Sequence, residues 1–275
     1  MHKMKRRAMI VLGVLCVGAG VLMNGRSVDA LKIPEKYAVP ENVSQLAVIR
    51  YKKGTQGKFK LYIKNAKGTW KKKFACTAWL GRRGIGKKKE GDQKTPTGLY
   101  TLDQAFGIRN NPGTKMPYVK VTDQHYWCSD SGSLYYNQLI RWDETGHRCG
   151  GEHLIDYRGV YNYAVSIGYN KKGKADKGSA IFLHCSRNRA TAGCAAIPEK
   201  YMRKVLKKLD PAANPRILFI RRYHRGGSEI SGIPPGANYG CQACRGKRIT
   251  DVGYTAREDY GYYSGGRRYV VDKWY

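Results

Sequence analysis

Short apolar runs separated by turn residues recur along the chain between residues 44 and 220. Runs that are rich in branched and aromatic residues and bounded by glycine or asparagine are typical of β-strands. The first three follow one another closely, which predicts a meander of antiparallel strands. The runs lie at residues 46–49, 59–63, 70–80, 161–167, 179–183 and 217–220.

A helical pattern stands out at residues 198–209. Its apolar residues fall at i, i+3, i+4 and i+7, which is the spacing of one face of an α-helix. They are Met202, Val205, Leu206 and Leu209. Pro198 is tolerated in a first helical turn, and Pro211 ends the pattern. The chain is therefore predicted to be mainly β, with one well-formed helix.

Both ends of the chain depart from this pattern. Residues 1–7 are basic, residues 8–23 are apolar, and the polar stretch that follows ends at Ala30. This layout predicts a signal peptide over residues 1–30 that is cut after Ala30, with an uncleaved signal anchor as the alternative. Residues 221–275 are rich in Tyr, Gly and basic residues and poor in aliphatic ones, which predicts a separate, loosely folded tail.

The charge of the chain is extreme, with 51 Lys and Arg against 20 Asp and Glu and a formal net charge of +31. Such a charge indicates a polyanionic partner: nucleic acid, an anionic membrane surface or an anionic cell-wall polymer. Either interpretation of the N-terminus puts the rest of the chain outside the cytoplasm, secreted or associated with the wall or membrane. Nucleic acid is therefore not expected as a partner, an anionic wall polymer is favoured, and membrane contact is expected only through an uncleaved N-terminal segment.

Removal of residues 1–30 would leave seven of the eight cysteines, and an odd number outside the cytoplasm leaves at least one thiol unpaired. Cys241 and Cys244 form half of a zinc-site pattern, but no second pair accompanies them, so no metal and no cofactor is expected. Cys185 is expected to be bridged to Cys128 or Cys149, or simply to be buried.

The candidate chemistry lies where the run at residues 179–183 leads into His184, ten positions before Cys194. A cysteine becomes nucleophilic when a neighbour such as a histidinium lowers its pKa. Gly193 can adopt a backbone conformation that lets a carbonyl approach closely, and the N–H groups around Gly193 and Cys194 are candidate oxyanion donors. On spacing alone, a buried cysteine and a satisfied strand-end histidine explain the pattern equally well.

Residues 191–194, Thr-Ala-Gly-Cys, and residues 91–100, Gly-Asp-Gln-Lys-Thr-Pro-Thr-Gly-Leu-Tyr, are similar to two motifs of one family. They resemble the [Ser/Thr]-x-Gly-Cys signature and the upstream Asp-x-Lys-Thr-Pro-x-Gly segment of the L,D-transpeptidase catalytic domain family. The resemblance covers residues 44–220. It implies a β-sandwich of the L,D-transpeptidase type, with one helix after the nucleophile.

The resemblance also implies roles for four residues. Cys194 is expected to be the nucleophile and His184 its base, with Thr191 and Gly193 at the substrate or the oxyanion. Cys194 would attack the carbonyl between the third residue and the D-Ala of a peptidoglycan stem tetrapeptide, and the resulting thioester would pass to the amine of another stem. The second nitrogen of His184 is expected to be held by a backbone carbonyl.

Three departures from the family pattern concern the surroundings of the pair. Cys185 stands where the family commonly has glycine, the step from His184 to Cys194 is shorter than in many members, and Ala195 and Ala196 stand where Arg or Asn is common. Two further functions stay open, an L,D-carboxypeptidase that uses water as acceptor and a non-catalytic wall-binding protein. A papain-like protease has the opposite order of cysteine and histidine in the chain.

Several other residues have a plain structural interpretation as well as a functional one. Residues 103–150 are predicted to form a long irregular loop whose aromatic content suggests a functional role. His125, His147 and His153 lie in or just after it, either lining a pocket or packing. Residues 92–98 are expected to be turn structure, and the lysines at 71–73 and 87–89 a solvated face, with wall-polymer contact as the functional alternative.

Overall fold

The computed structural model describes residues 37–146 and 149–221, and in the tail the backbone of Gly261–Ser264 and Arg267–Val270. The predicted signal segment lies outside the described residues, as do His147, Cys241 and Cys244. The chain divides into two compact units, Met1–Arg222 and Tyr223–Tyr275. In the second unit, the two tail strands pair as an antiparallel hairpin. Among the described residues, no helix is long and apolar enough to cross a membrane.

The first unit is mainly β, as predicted. Its strands are β1 Gln45–Lys53, β2 Gln56–Lys64, β3 Trp70–Trp79, β4 Gly98–Gly107, β5 Tyr118–Lys120, β6 His125–Cys128, β7 Leu139–Arg141, β8 Gly151–His153, β9 Ala164–Ile167, β10 Phe182–Cys185, β11 Ala195–Ile197 and β12 Arg216–Ile220. Its α-helices are α1 Trp142–Thr145 and α2 Glu199–Lys208, and short 3-10 turns lie at Leu154–Asp156 and Pro211–Ala213.

Nine strands form one sheet in the order β12-β1-β2-β3-β11-β10-β9-β4-β5. The antiparallel meander β1-β2-β3 is present as predicted, and β12 lies parallel to β1. The first part of β4 pairs with β12, and its later part pairs with β9. The sheet therefore closes on itself around the core.

Helix α2 confirms the helical prediction. It begins directly after Pro198, ends at Lys208, and buries Met202, Val205 and Leu206 in the main core. Because α2 follows β11 after one residue, its packing against the core fixes the strand that starts just after Cys194. Leu209, one residue beyond the helix, is also buried.

Two strands begin later than the apolar pattern predicts. Strand β9 starts only at Ala164, because Tyr161 lies in a turn in which its N–H donates to the carbonyl of Tyr157 at 2.9 Å. Strand β10 starts at Phe182, because Ala180 has a positive φ of 52°, which is incompatible with an extended strand. Tyr161 and Ala180 both become part of the candidate site.

Residues 103–150 are more regular than the sequence indicates. Strand β6 pairs with β7 and β8 in a separate three-stranded sheet. Cys128 ends β6 and Cys149 precedes β8, so this pairing brings their Cα atoms to 5.1 Å, and they form a disulfide. The expected bridge from Cys185 to either of them is therefore wrong. Cys185 instead lies in the main core as a free, buried thiol, which was the other alternative.

Candidate active site

Cys194 and His184 lie on neighbouring strands and face the same side of the sheet. Strands β10 and β11 are parallel, with Leu183 opposite Ala195 and His184 opposite Ala196. Leu183 and Ala195 point into the main core. Because side chains alternate along a strand, His184 and Cys194 share the other face. Each is only 7% exposed.

Two threonine hydroxyls hold the carbonyl of Cys194. Thr191 Oγ1 donates to it at 2.7 Å, and Thr95 Oγ1 donates to it at 3.0 Å. Thr95 is fully buried, and its hydroxyl also accepts the N–H of Gly81 at 2.8 Å. The upstream Lys-Thr-Pro segment and the cysteine loop are therefore joined at the nucleophile candidate. In this arrangement, Thr191 positions the cysteine backbone.

Gly193 occupies a conformation that side chains disfavour, with a φ of 153°. A Cβ at this position would lie 3.3 Å from the carbonyl oxygen of Lys94, closer than most real Cβ contacts. The N–H of Gly193 donates to Thr191 Oγ1 at 3.2 Å. Of the two backbone donors predicted for an oxyanion, the one on Gly193 is therefore already engaged in the loop.

His184 is oriented by the backbone. Its Nδ1 lies 2.9 Å from the carbonyl oxygen of Cys185, as predicted, and this contact favours the tautomer with the proton on Nδ1 and a free lone pair on Nε2. The ring of Tyr161 meets the imidazole edge to face, with centroids 5.5 Å apart. Burial lowers the pKa of His184 to about 4, although the bond to Cys185 opposes this. His184 is therefore neutral near neutral pH.

The thiol of Cys194 is held by two backbone groups. Sγ donates to the carbonyl of Ala180 at 3.1 Å and accepts the N–H of Phe182 at 3.3 Å. Burial raises the pKa of this thiol well above its usual range, and the bond from Phe182 offsets that only in part. The expected lowering of its pKa by a charged histidine is absent, because His184 is neutral. The thiol of Cys194 is therefore protonated near neutral pH.

A neutral pair makes a prediction about alkylation. We expect Cys194 to react with iodoacetamide near neutral pH at least about 10-fold more slowly than a free exposed cysteine, because only the thiolate attacks. The rate should keep rising with pH beyond the range in which free cysteine levels off. Intact-mass time courses of wild type and Cys194→Ser, compared over pH, measure it. Alkylation of Cys194 at the rate of free cysteine would contradict the neutral pair.

A buried ion pair supports the loop beneath the nucleophile candidate. Lys87 Nζ lies 3.0 Å from Asp92 Oδ1, and the two side chains are 2% and 9% exposed. The Asp92 carboxylate also accepts backbone N–H groups from Lys88, Lys89 and Lys94. Burial alone would raise the pKa of Asp92, but these bonds lower it. Asp92 thus organises turn structure, as predicted, whereas the prediction of a solvated face is wrong for Lys87.

The loop around residues 126–142 supplies residues that the sequence did not assign. Asn137 Oδ1 accepts from Trp127 Nε1 and from the N–H of Ala180, both at 3.1 Å. This orients Ala180, whose carbonyl holds the Cys194 thiol. The aromatic and hydrogen-bonding residues of the loop indicated a functional role. The sequence did not show which residue Asn137 contacts, because Ala180 lies 43 residues further along the chain.

The remaining candidate groups make local contacts. His125 is buried and its Nδ1 accepts the N–H of Thr122 at 3.1 Å, whereas His153 stacks on the ring of Tyr126. A cavity of about 620 Å³ is lined by several cationic side chains and includes neither Cys194 nor His184. Within residues 37–146 and 149–221, no three His, Cys, Asp or Glu side chains cluster as metal ligands would.

The family model of the L,D-transpeptidase catalytic domain (YkuD) matches residues 49–218 of the chain. The match covers more than half of the chain, and the chain belongs to this family, which acts on peptidoglycan. The expected family and fold class are thereby confirmed.

Two solved structures give weaker similarities. The helical cell shape determining protein Pgp2 from Campylobacter jejuni is 17% identical, over 66% of this chain and 49% of that protein, with a TM-score of 0.36. A point mutant of Pgp2 is 20% identical, over 66% of this chain and 51% of the mutant, with a TM-score of 0.35. The chain thus spans about half the length of Pgp2. No curated protein matches it.

Proposed function

We propose that the protein is an exported L,D-transpeptidase that acts on peptidoglycan stem tetrapeptides through a thioester on Cys194. One observation carries the proposal: the parallel register of β10 and β11 puts His184 and Cys194 on one sheet face. The bond from His184 Nδ1 to the Cys185 carbonyl leaves Nε2 as a proton acceptor on that face. A nucleophile with an oriented base is the arrangement that acyl transfer through a covalent intermediate requires.

The first half-reaction forms the thioester. The S–H bond of Cys194 turns from the Ala180 carbonyl towards His184, whose Nε2 takes the proton as Sγ attacks the carbonyl carbon between the third residue and D-Ala. The oxyanion accepts the N–H of Cys194, since the N–H of Gly193 is engaged with Thr191. When the intermediate collapses, the C–N bond breaks and the amine of D-Ala takes the proton from His184.

The second half-reaction returns the thiol. An amine on the third residue of another stem attacks the thioester, His184 takes one of its protons, and that proton passes to the departing sulfur of Cys194. The product is a cross-link between the third residues of two stems. Water in place of the amine makes the same site an L,D-carboxypeptidase, which is the second candidate function.

The positive charge supports a wall-polymer partner for the same enzyme. Arg109, Lys120 and Arg158 line the 620 Å³ cavity, and their charges would favour phosphate or carboxylate groups of an anionic polymer. We propose that these side chains contact the wall polymer and that residues 1–30 direct the export of the protein. A protein that only bound the wall would need these charges but not the threonine clamp on Cys194.

The direct test is intact-mass analysis during incubation with a stem tetrapeptide. We expect Cys194 to gain the mass of the tripeptidyl group as free D-Ala appears, and an added stem acceptor to yield the cross-linked dimer. A tetrapeptide that ends in L-Ala is the matched control and should not react. Release of tripeptide without dimer, at any acceptor concentration, would favour the carboxypeptidase. Absence of any acyl-enzyme and any product would leave the wall-binding alternative.

A further inference from the structure

Glu152 stands out in a chain with so many cations. Its Oε2 accepts the hydroxyl of Tyr161, and no Lys, Arg or His among the described residues forms an ion pair with it. A carboxylate that is removed from water is costly unless it is paired with a cation. Tyr161 therefore orients the Glu152 carboxylate without neutralising its charge.

Packing puts Glu152 next to the candidate pair. Glu152 on β8 is opposite Trp127 on β6, and the ring of Trp127 lies 4.6 Å from that of Phe182, whose N–H contacts Cys194 Sγ. Tyr161, which bonds Glu152, packs its ring against the imidazole of His184. The Tyr161 side chain thus separates the carboxylate from His184, and Trp127 and Phe182 lie between it and Cys194.

The electrostatics agree with this placement. Burial raises the pKa of Glu152 to about 7, the bond from Tyr161 opposes the rise, and Glu90 adds to it. Glu152 in turn helps to raise the pKa of the Cys194 thiol, so its field reaches the sulfur. The side chain still keeps partial solvent access. A small cation that enters from solvent can therefore reach it.

The other groups around Glu152 do not supply that cation. Glu90 carries the same charge and is bonded to the hydroxyl of Tyr136 at 2.7 Å. Burial, and to a smaller extent the charge of Glu152, raises the pKa values of Tyr157 and Tyr161, so both stay neutral. Within residues 37–146 and 149–221, Glu152 therefore forms no ion pair, and its carboxylate suits the ammonium group of an arriving substrate.

We propose that Glu152, positioned by Tyr161, binds the ammonium group of the acyl acceptor and takes its proton before the amine attacks the thioester. This inference rests on the proposed function and deepens it, because it assigns the choice between amine and water to one side chain. A carboxylate can take a proton from water as well as from an ammonium, but only the ammonium also gains an ion pair that holds it at the site.

The step balances as follows. The ammonium gives one proton to the Glu152 carboxylate and becomes a free amine. The amine nitrogen forms a bond to the thioester carbon, the C–S bond breaks, and a second amine proton passes through His184 to the sulfur of Cys194. Glu152 afterwards releases its proton to solvent, which its pKa near neutrality permits.

The experiment measures how the thioester partitions between acceptors. Acyl-enzyme formed from a tetrapeptide is mixed with a cationic amine acceptor, and cross-linked and hydrolysed products are counted for wild type and Glu152→Gln. The variant keeps the shape of the side chain and its acceptor for Tyr161. We expect its aminolysis-to-hydrolysis ratio to fall about 10-fold or more, with a higher KM for the acceptor. Hydroxylamine, which is uncharged near neutral pH, should lose less than about 2-fold relative to water.

Matched controls keep the inference falsifiable. Glu41→Gln removes the same charge at an exposed position and should leave the ratio unchanged. In wild type, a trimethylammonium analogue of the acceptor should inhibit aminolysis but not hydrolysis. This measurement does not depend on the folding of a variant. An unchanged ratio in Glu152→Gln, an equal loss with hydroxylamine, or no effect of the analogue would overturn the inference while the acyl-enzyme still forms. Absence of the acyl-enzyme in wild type would overturn the proposed function itself.

Discussion

Replacement of Cys194 by serine is expected to abolish acyl-enzyme formation with a stem tetrapeptide or a carbapenem. The change alters one buried atom, so the fold and the threonine clamp on the Cys194 carbonyl should persist. A neutral imidazole can assist a thiol, but a hydroxyl in the same place is a far weaker acid and nucleophile. We expect acylation to fall by a factor on the order of 10⁵ or more, measured by intact mass and by release of D-Ala.

Cys185 provides the matched control within the same strand pair. It lies on the opposite sheet face in the main core, where its thiol contacts the carbonyl of Tyr163 at 3.4 Å. Burial raises the pKa of Cys185 to about 12, and its side chain lies on the core face, away from the face that His184 shares with Cys194. Cys185→Ser should therefore keep the adduct on Cys194. An adduct that maps to Cys185, or that survives in Cys194→Ser, would refute the assignment of the nucleophile.

The second large effect is expected for His184→Gln. Glutamine can still donate to the Cys185 carbonyl but offers no basic nitrogen to the thiol, so acylation should fall by roughly 10²–10⁴-fold. Initial acylation rates per folded protein measure the change. His125→Gln is the control, because His125 is also buried but lies on β6 in the small sheet. A similar loss in both variants would indicate general destabilisation instead of a base.

The same variant has a signature in the pH dependence of stability. The pKa of His184 is about 4 in the folded chain, against about 6.5 for an unperturbed histidine, so between these values the unfolded chain binds more protons. The stability that neutral His184 contributes is complete above about pH 6.5 and is lost as pH falls towards 4, by roughly 3 kcal/mol. Denaturant unfolding of His184→Gln should lack this loss.

The contribution of Glu152 to stability has the opposite pH dependence. Its pKa is raised in the folded chain, so its contribution is complete below its unfolded pKa and is lost as pH rises through 7.

The sequence predicted local features well wherever one segment sufficed. The α2 periodicity, the β1-β2-β3 meander and the carbonyl partner of His184 all follow from short-range pattern or backbone chemistry. Predictions failed where a distant segment decides the outcome. Cys185 was expected to form a bridge or to be buried, and the small sheet pairs Cys128 with Cys149 instead. Lys87 is a local failure, because its buried partner Asp92 is only five residues further along the chain.

The sequence alone was sufficient to predict the mainly β class, the family motifs and the candidate residues His184 and Cys194. Residue type and spacing encode strands, turns and a cysteine that follows glycine. Only the tertiary structure decided that the parallel register of β10 and β11 sets both side chains on one face. It also decided that burial leaves the thiol protonated and the imidazole neutral. Desolvation and register depend on segments that are remote in sequence, such as Thr95, Asn137 and Glu152, and a one-dimensional pattern does not record which of them meet.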